Sequence, residues 1–400
     1  MLQAALHSGA AAERVVFEVF ARRLPPGRRY GVVAGLERLL HALDRFRFGP
    51  AELDHLAGIV DQRTLEHLAG WRFVGDVDAY REGELFFPES PVLTVDAPFG
   101  DAVVIETLVL SVLNHDAAIA SAAARMRVAA GDRQLIEMGG RRTHEQAAVA
   151  AARAAYVAGF DATSNLEAGR TYGIPTVGTS AHAFTLAHTD ERTAFAAQVA
   201  ALGRGTTLLV DTFDVEQGIR TAVDVAGPDF GAIRLDSGDL ADEARRARAL
   251  LDRLGATRTR IVASGDLDEH EIARLAAAPV DAYGVGTALV TGSGAPTAEL
   301  IYKLVARAGA PVSKRSRGKE TIGGRKWAYR LLDAGGRARE EHILAAPARA
   351  DRALQVPVVR EGEVVHRPTL AAIRAHHVEA LAELPPEALR LEAGPAALRG

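Results

Sequence analysis

Between about Arg133 and Val305, the chain repeats one pattern: a short apolar run, a few small or polar residues, and then a helical stretch. The apolar runs lie in the segments "RQLIEMGGRR", "GFDATSN", "PTVGTSAH", "TTLLVDTF", "GAIRLDSGD", "RIVASGD", "DAYGVGTAL" and "IYKLV". Strands that alternate with helices form βαβ units and a parallel sheet. Eight units suggest a barrel, although the very short helical stretch "LEAGRTYG" leaves other α/β arrangements open.

The flanking segments have a different pattern. Before residue 115, leucine spacing in "GVVAGLERLLHALDRF" predicts a helix, and "VDAYREGELFFPESPVLTVDAP" predicts a pair of strands. The segment "AVVIETLVLSVLNHDAAIASAAARM" predicts a long apolar helix. After about Ala306, "KWAYRLLDAGGRARE" predicts a hairpin that turns at Gly335 and Gly336, and "TLAAIRAHHVEALAEL" predicts a terminal helix.

Composition excludes several classes of protein. With 400 residues, 48% of them hydrophobic, the chain can bury a large core in two or three domains. Since it has no cysteine, disulfides, thiolate catalysis, cysteine zinc sites and iron–sulfur clusters are excluded. A net charge of −4 argues against nucleic-acid binding. We expect a cytoplasmic protein without a membrane span, because the chain shows neither a signal-peptide layout nor a long uncharged apolar run.

Polar and small residues recur at or just past the ends of the apolar runs. Because the carboxyl ends of parallel barrel strands form the rim that holds active sites, this series predicts a functional rim. The residues of the series are Arg141, Ser164, His182, Asp211, Asp236, Ser264, Asp266, Gly286 and Thr287.

Two segments carry carboxylates beside small residues. In "IRLDSGDL", Asp236 could accept hydrogen bonds from ribose hydroxyls or help to hold Mg²⁺, and Arg234 could bind a phosphate or carboxylate. A helix cap at Ser237 or Asp239 is the structural alternative. In "ASGDLDE", Gly265 allows close backbone approach. The neighbouring Asp266 could cap the next helix or meet a hydroxyl group.

Two further segments suit anions. In "YGVGTALVTG", the backbone N–H groups of Gly286 and Thr287 could bind phosphate, while neither a P-loop nor a GxGxxG dinucleotide motif occurs. In "EMGGRR", Arg141 and Arg142 follow two glycines and suit an anionic substrate. The basic stretch after residue 306 could also reach an anionic site. Its lysines are Lys314, Lys319 and Lys326.

His182 ends the segment "GTSAH", where small residues leave space around the imidazole. A buried structural histidine is the alternative. His188 lies six residues away, and this spacing differs from the i, i+4 pair of a helical zinc site. Imidazole titrates near neutrality, so a nucleophilic or acid–base role is favoured over metal binding.

Taken in order, these motifs resemble those of nicotinate phosphoribosyltransferases, a type II phosphoribosyltransferase family. The matching motifs are "VFEVFARRLPPGRRYGVVAGLERLL", "EMGGRR", "TSN", "GTSAH", "RLDSGDL", "GVGT", "YKLV" and a late "K.S..K.T..G.K...R". The resemblance covers nearly the whole chain. It implies an α/β fold: an irregular TIM-like (β/α) barrel domain over residues 116–305, and a discontinuous α/β domain built from residues 1–115 and 306–400.

The resemblance also implies an activity. Nicotinate, 5-phosphoribosyl 1-pyrophosphate (PRPP), ATP and water would give nicotinate mononucleotide, pyrophosphate, ADP and phosphate, in the first step of NAD salvage from nicotinate. ATP cleavage would be coupled through a phosphohistidine at His182. Mg²⁺ would accompany pyrophosphate, and the enzyme would be a homodimer with a shared active site.

Residue roles follow from the same resemblance. Met138 stands where the family usually has an aromatic residue against the pyridine ring. Arg141 and Ser164 would lie near the ring and its carboxylate. The residues expected at the ribose and phosphates of PRPP are Arg234, Asp236, Ser237, Gly265, Asp266, Gly286 and Thr287. Family members usually carry a tyrosine, ahead of a methionine like Met1, that stacks on nicotinate from the neighbouring subunit. We therefore expect weak nicotinate binding by a chain that begins at Met1.

Three alternatives remain open from the sequence. The first is a related phosphoribosyltransferase for nicotinamide or quinolinate. The second is a Schiff-base aldolase that uses Lys303 at a strand end. The third is a catalytically weakened paralogue, which the substitution at Met138 would suit.

Overall fold

The computed structural model describes residues 1–314, 316, 321–348 and 352–398, which form two compact units. Unit 1 combines residues 1–121 with residues 295–400, and unit 2 comprises residues 122–294. The domain boundaries drawn from the sequence fall after residues 115 and 305, whereas the division by contacts falls after Ser121 and Gly294. The α/β class, with one unit built from both chain ends, is confirmed.

The strands of the described residues are numbered in chain order. They are β1 (Arg14–Ala21), β2 (Gly31–Val32), β3 (Asp76–Tyr80), β4 (Leu85–Phe86), β5 (Leu93–Pro98), β6 (Gln134–Glu137), β7 (Ala162–Thr163), β8 (Thr207–Leu209), β9 (Ala232–Leu235), β10 (Arg260–Ser264), β11 (Ala282–Val285), β12 (Leu300–Arg307), β13 (Ala310–Pro311), β14 (Trp327–Leu332), β15 (Ala338–Leu344), β16 (Arg352–Ala353), β17 (Gln355–Arg360) and β18 (Glu363–Val364).

The α-helices of the same residues are numbered likewise. They are α1 (Leu2–Ser8), α2 (Leu36–Arg45), α3 (Pro50–Leu56), α4 (Gln62–Ala69), α5 (Phe99–Val104), α6 (Glu106–Ala130), α7 (Glu145–Val157), α8 (Leu166–Tyr172), α9 (His182–Leu186), α10 (Glu191–Leu202), α11 (Val215–Ala226), α12 (Leu240–Arg253), α13 (Glu269–Leu275), α14 (Thr287–Val290) and α15 (Leu370–Glu383). Short 3-10 helices span Ala10–Ala12 and Pro386–Leu389.

Unit 1 is built on an antiparallel sheet in the order β13-β12-β1-β5-β3-β17-β18. Strands from both chain ends therefore share one sheet, which makes the unit discontinuous. The leucines of α2 recur on one face and are buried in its core, as the helical spacing predicts. The predicted hairpin is confirmed by β14 and β15, which pair antiparallel, and the predicted terminal helix is α15.

Buried ion pairs connect the two chain ends within unit 1. The fully buried Arg330 donates to Glu341 Oε2 at 2.9 Å and to the Leu85 carbonyl at 3.0 Å. Arg352 pairs with the buried Glu84 and donates to Glu383 Oε2 at 2.6 Å. Breaking such a pair leaves an uncompensated buried charge, so these contacts hold the C-terminal segment in place.

Helix α6 belongs partly to each unit. By length and composition alone it could cross a membrane, but 61% of its most apolar 18-residue window is buried inside the protein. Core helices of soluble proteins have the same properties, so this helix is weak evidence for a span. The expectation that the chain lacks a membrane span stays a prediction.

Unit 2 is built on a parallel sheet in the order β7-β6-β11-β10-β9-β8. The expectation of eight barrel strands is wrong on two segments. "IYKLV" lies in β12, within the antiparallel sheet of unit 1. "PTVGTSAH" forms no strand and contributes only one isolated bridge among the described residues, between Thr176 and Thr163. Its remaining residues are largely exposed and lead into α9. The sheet is thus an open, barrel-like one of six strands within the described residues.

Candidate active site

The carboxyl ends of β6, β11, β10 and β9 lie side by side because these strands are neighbours in the parallel sheet. Their loops enclose a cleft of about 170 Å³. Ten residues that the sequence analysis singled out line this cleft: Met138, Arg141, Arg142, Arg234, Asp236, Ser264, Gly265, Asp266, Gly286 and Thr287. Gly284 completes the lining. The strand-end pattern therefore brings together residues that are distant in sequence.

Arg234, on β9, is held by three hydrogen bonds. Its guanidinium donates to Ser264 Oγ at 2.7 Å, to Thr179 Oγ1 at 2.8 Å and to Asp236 Oδ1 at 2.7 Å. The side chain is only 12% exposed, so little rotamer freedom is left to lose when an anion binds. Arg234 is a rigid, positively charged wall of the cleft.

Asp236 follows β9 and stays ionised. Burial opposes its ionisation, but hydrogen bonds from Ser264 and Arg234, together with the charges of Arg234 and His182, lower the pKa of this carboxyl below its usual value. Ser264 Oγ donates to Asp236 Oδ1 at 2.6 Å. Because that oxygen also accepts from Arg234, Oδ2 is the oxygen left to meet a ligand.

Arg141 and Arg142 lie in the loop after β6 and are exposed. Neither guanidinium has a carboxylate partner among the residues that the structure describes. The cleft is lined by three arginines and two aspartates, so its side chains carry a positive excess. This charge balance suits an anionic ligand.

Glycine is required at the loop after β10. Gly265 has a φ of +112°, and a Cβ there would lie 2.6 Å from the carbonyl oxygen of Asp236. Asp266, the next residue, also has a positive φ, of 48°. The two residues form a tight backbone turn that opens on the cleft.

His182 is the first residue of α9, and its side chain is 42% exposed. Nδ1 lies 3.2 Å from Thr212 Oγ1. Nε2 faces two carboxylates, with Asp211 Oδ1 and Asp236 Oδ2 each at 3.9 Å. The alternative of a buried structural histidine is therefore wrong: the ring is accessible and lies beside the cleft.

A second histidine plays no part in this arrangement. The Nδ1 atom of His188 lies 2.8 Å from the carbonyl oxygen of Phe184, one turn earlier. Across the described ranges, no group of three His, Asp or Glu side chains is placed to hold a metal ion. The preference for nucleophilic chemistry at His182 stays a prediction.

Asp211 connects His182 to the rest of the site. Its side chain is 1% exposed, and Oδ2 accepts from the backbone N–H of Asp236 and from Ser237 Oγ, both at 2.8 Å. Oδ1 has no hydrogen-bond partner among the described residues. The sequence placed Asp211 in the strand-end series without a role, and the structure places it beside the imidazole.

Two candidate residues, Ser237 and Asp266, do not cap the helices that follow them. Asp239 caps α12, so Ser237 is free to bond Asp211. Asp268 caps α13, so the suggestion that Asp266 caps this helix is wrong. Asp266 therefore makes no helix cap, and it lines the cleft together with Asp236.

Ser164 lies just past β7 and is exposed, with its backbone N–H donating to the Glu137 carbonyl at 2.8 Å. The Glu137 side chain, which sequence reasoning missed, is 1% exposed and accepts from Thr163 Oγ1 and the Gly139 N–H. Burial raises the pKa of Glu137, although these two hydrogen bonds act to lower it. Glu137 thus shapes the loop that carries the arginines, a role that no local sequence pattern reveals.

The candidate lysines that the structure describes lie outside the cleft lining. Lys303 stands opposite Glu18 in the antiparallel β1–β12 pair, so the premise of an aldolase lysine at the end of a parallel strand is wrong. Lys326 Nζ donates to the buried Glu18 Oε2 at 2.6 Å. Lys319 lies outside the described residues.

An anion-binding cleft at the carboxyl ends of a parallel α/β sheet, with an accessible imidazole between two carboxylates, defines an enzyme that acts on a phosphorylated small molecule. Family comparisons agree. Residues 1–114 match the nicotinate phosphoribosyltransferase N-terminal domain, and residues 119–294 match the quinolinate phosphoribosyl transferase C-terminal domain.

Full-length relatives and solved structures narrow this class. The chain is 58% identical to nicotinate phosphoribosyltransferase pncB1 of Mycobacterium tuberculosis, across 100% of this chain and 92% of the relative. It is 39% identical to that of Bacillus subtilis, across 84% and 72%. The human nicotinic acid phosphoribosyltransferase structure superposes with a TM-score of 0.86 at 27% identity, covering 100% of this chain and 95% of the other. The chain belongs to the nicotinate phosphoribosyltransferase family, which confirms the predicted phosphoribosyl transfer in NAD biosynthesis.

Proposed function

We propose that the protein joins nicotinate to PRPP, giving nicotinate mononucleotide and pyrophosphate, and that ATP hydrolysis is coupled to this transfer through phosphorylation of His182. The observation that carries the ATP-coupled part is the placement of the imidazole. It is accessible, lies beside the anion-binding cleft, and faces Asp211 and Asp236 at 3.9 Å. Family membership supports nicotinate and PRPP as the substrates.

Nicotinate needs a cation for its carboxylate and an apolar surface for its ring. Arg141 and Arg142 are exposed on the cleft with no carboxylate partner in the described part of the chain, so either could bind the carboxylate. Met138 lines the same cleft and offers a thioether to the ring. Ser164, exposed at the end of β7, is the proposed hydroxyl group beside the ring.

PRPP needs partners for its ribose hydroxyls, for its 5′-phosphate and for its pyrophosphate. Arg234 supplies a fixed positive charge, and Asp236 an oxygen that is free to accept. Gly265 and Asp266 bring backbone and carboxylate to the ribose side of the cleft. The proposed 5′-phosphate partners are the N–H groups of Gly286 and Thr287, where α14 begins. Ser237, fixed on Asp211, lies beside this set.

The donor set fits Mg²⁺ brought in with the substrate. Mg²⁺ is usually held by one or two carboxylates together with substrate phosphates and water. Asp236 Oδ2, which accepts no hydrogen bond from the described residues, would hold it. When bound, Mg²⁺ would offset the charge of the pyrophosphate leaving group.

The chain's own residues supply the electrostatics of the transfer. Attack by the pyridine nitrogen on C1 of the ribose passes through a cation-like sugar, while pyrophosphate leaves with the bonding electrons. Arg234 faces the developing negative charge, and Asp236 and Asp266 lie on the side of the positive sugar. A phosphate on His182 would add negative charge next to Asp211 and Asp236, which would change how the cleft binds pyrophosphate.

Three further properties belong to this proposal. ATP is the phosphate donor, the enzyme is a cytoplasmic homodimer, and its active site is shared between subunits. Burial of much of the apolar α6 helix is consistent with this compartment. Sedimentation velocity at micromolar concentration tests the dimer directly.

One experiment tests the coupled reaction. The protein is incubated with γ-labelled ATP and PRPP, and protein-bound phosphate is assayed for the acid lability of phosphohistidine. We expect label on the wild type and none on His182→Ala, together with loss of ATP stimulation in the variant. His188→Ala is the matched control and should keep both. Equal labelling of His182→Ala and wild type would overturn the proposal.

Substrate choice is tested in parallel. Steady-state rates with nicotinate, nicotinamide and quinolinate separate the three pyridine phosphoribosyltransferase activities. We expect nicotinate to have the highest kcat/KM, because family membership supports it. The neutral amide of nicotinamide also offers no charge to Arg141 or Arg142. A higher value for either competitor would contradict this assignment.

A further inference from the structure

Helix α14 begins at Thr287, one of the two proposed 5′-phosphate partners, and is a single turn of four residues. A helix this short is not stable on its own, so its position depends on contacts at its two ends. At its first end it follows β11, whose Val285 pairs with Glu137 of β6 in the parallel sheet. At its second end the chain leaves the helix through a turn, over residues 291–294.

That turn has a left-handed backbone. The φ angles of Gly292, Ser293 and Gly294 are 64°, 49° and 82°. Glycine adopts such angles at little cost, whereas serine does so only when its surroundings hold it there. The Ser293 N–H donates to the Ala288 carbonyl at 2.6 Å and closes the turn over the end of the helix. A serine between two glycines in this conformation indicates that its hydroxyl group has a role.

The hydroxyl group of Ser293 bonds a buried carboxylate. Ser293 Oγ donates to Glu269 Oε2 at 2.6 Å, and Glu269 Oε1 accepts from Arg125 Nε at 3.0 Å. The side chains of Arg125 and Glu269 are 6% and 5% exposed, and all three residues lie in unit 2. Arg125 belongs to the long helix α6, and Glu269 is the first residue of α13. The ion pair therefore gives the hydroxyl group a fixed, charged acceptor, which makes a strong hydrogen bond.

We propose that Glu269 and Ser293 are positioning residues for PRPP: the buried carboxylate holds the second end of α14 through the Ser293 hydroxyl, and so keeps the N–H groups of Gly286 and Thr287 in place for the 5′-phosphate. This inference rests on the proposed PRPP site at those two residues. Glu269 and Ser293 are not among the residues that line the cleft, so they act through α14 rather than on the substrate. Glu269 also follows the cleft-lining Asp266 by three residues, so one anchor serves two loops of the site.

The test separates the hydroxyl group of Ser293 from its backbone conformation. Ser293→Ala and Ser293→Gly both remove the hydroxyl group, but alanine keeps the costly left-handed φ whereas glycine relieves it. Calorimetry gives the Kd of PRPP, steady-state kinetics give the KM for nicotinate, and thermal unfolding gives the stability of each variant. Ser111→Ala is the matched control, because the Ser111 hydroxyl donates to the Leu108 carbonyl of its own helix, at 3.1 Å.

We expect the Kd of PRPP to rise about fivefold in both Ser293 variants, because α14 loses its anchor in each of them. The KM for nicotinate should change by less than about twofold, and Ser111→Ala should change neither constant. Ser293→Gly should unfold at a higher temperature than Ser293→Ala. An unchanged Kd in Ser293→Ala, or a Kd that follows stability and stays near the wild-type value in Ser293→Gly, overturns the proposed role of the hydroxyl group.

A variant without the ion pair tests the partner of Ser293. Arg125→Met combined with Glu269→Met removes both buried charges together, which avoids leaving one of them uncompensated. In this background the Kd of PRPP should already be raised, and adding Ser293→Ala should raise it by less than about twofold further. No rise in the background, or a full further rise on adding Ser293→Ala, overturns the role of Glu269.

Arg125→Leu combined with Glu269→Leu replaces this background if the first combination does not fold. Failure of the wild type to bind PRPP refutes the proposed function instead. The two failures are therefore distinguishable.

Discussion

Oδ2 of Asp211 accepts a hydrogen bond from the backbone N–H of Asp236 at 2.8 Å, and this contact joins the loops that follow β8 and β9. Oδ1 of the same carboxylate faces His182 Nε2 at 3.9 Å. One buried side chain therefore ties the position of the cleft-lining Asp236 carboxylate to the charge beside the imidazole. Geometry and electrostatics at this rim are coupled through Asp211.

Replacing Asp211 with Asn should uncouple them. The amide keeps the size of the side chain but removes the negative charge that attracts a proton on the imidazole. We expect ATP-dependent labelling of His182 to fall at least about tenfold. This is less than the roughly 10²- to 10⁴-fold contribution of a general acid or base itself, because Asp211 acts through the imidazole. Asp229→Asn removes an exposed carboxylate paired with Arg258 and should leave labelling unchanged. Equal labelling in Asp211→Asn and wild type would contradict the role of this charge.

Gly265→Ala should damage both stability and PRPP binding. The variant combines a φ of +112° with a Cβ only 2.6 Å from the Asp236 carbonyl, so the backbone must shift. Gly255→Ala is a matched control, since its φ is +80° and its Cβ would meet nothing within 4 Å. We expect about 1 kcal/mol of destabilisation for Gly255→Ala. Gly265→Ala should cost about 3 kcal/mol or more.

Urea unfolding of the two variants measures this difference, and steady-state kinetics give the KM for PRPP. An increase in this KM should appear only in Gly265→Ala. Similar free energies of unfolding for the two variants would show that the close approach of the new Cβ to Asp236 does not lower stability.

Gly284→Ala should weaken nicotinate binding through Met138. A Cβ at residue 284 would lie 2.6 Å from Met138 Sδ and 3.1 Å from its Cε, so the flexible thioether end would be pushed aside. We expect the KM for nicotinate to rise about fivefold, equivalent to about 1 kcal/mol of lost contact. The KM for PRPP should change by less than about twofold.

Met138→Ala serves as the comparison, because it removes the same contact without crowding. The double variant Met138→Ala with Gly284→Ala should be no worse than Met138→Ala alone. Additive increases in KM would mean that Gly284 acts by another route.

The sequence predicts the rim well because it is a local pattern. Polar residues such as Asp236 and Gly286 follow apolar runs directly, and parallel pairing then brings those ends together. Strand number is harder to predict, because an apolar run such as "IYKLV" fits either sheet. Only long-range pairing with β1 assigns it to the antiparallel one.

Contacts within the site could not be predicted from the sequence for a similar reason. The bond from Arg234 to Thr179 joins residues that are 55 positions apart, and the burial of Glu137 and Glu191 depends on which elements pack around them. A carboxylate in "HTDERTAF" looks like an ordinary helix start. Its unusual electrostatics arise only when α10 lies beside Asp211 and Asp214.

Glu191 should make stability depend on pH in a direction opposite to that of a salt-bridged carboxylate. Burial, followed by repulsion from Asp214 and Asp211, raises its pKa to about 7 in the folded protein, against 4.5 ordinarily. Between these two values the folded state binds more protons than the unfolded state, so stability falls as pH rises through this window and the full cost is present above pH 7. Glu191→Gln cannot ionise and escapes the cost.

We therefore expect Glu191→Gln to be more stable than the wild type by up to about 3 kcal/mol at pH 8. The advantage should shrink as pH falls from 7 through 4.5, and it should vanish well below 4.5, where Glu191 is neutral in both states. Urea unfolding at pH 8, 6 and 5 measures the difference, with Glu216→Gln as the exposed control. A variant that is less stable than the wild type at pH 8 would mean that ionised Glu191 has a compensating partner.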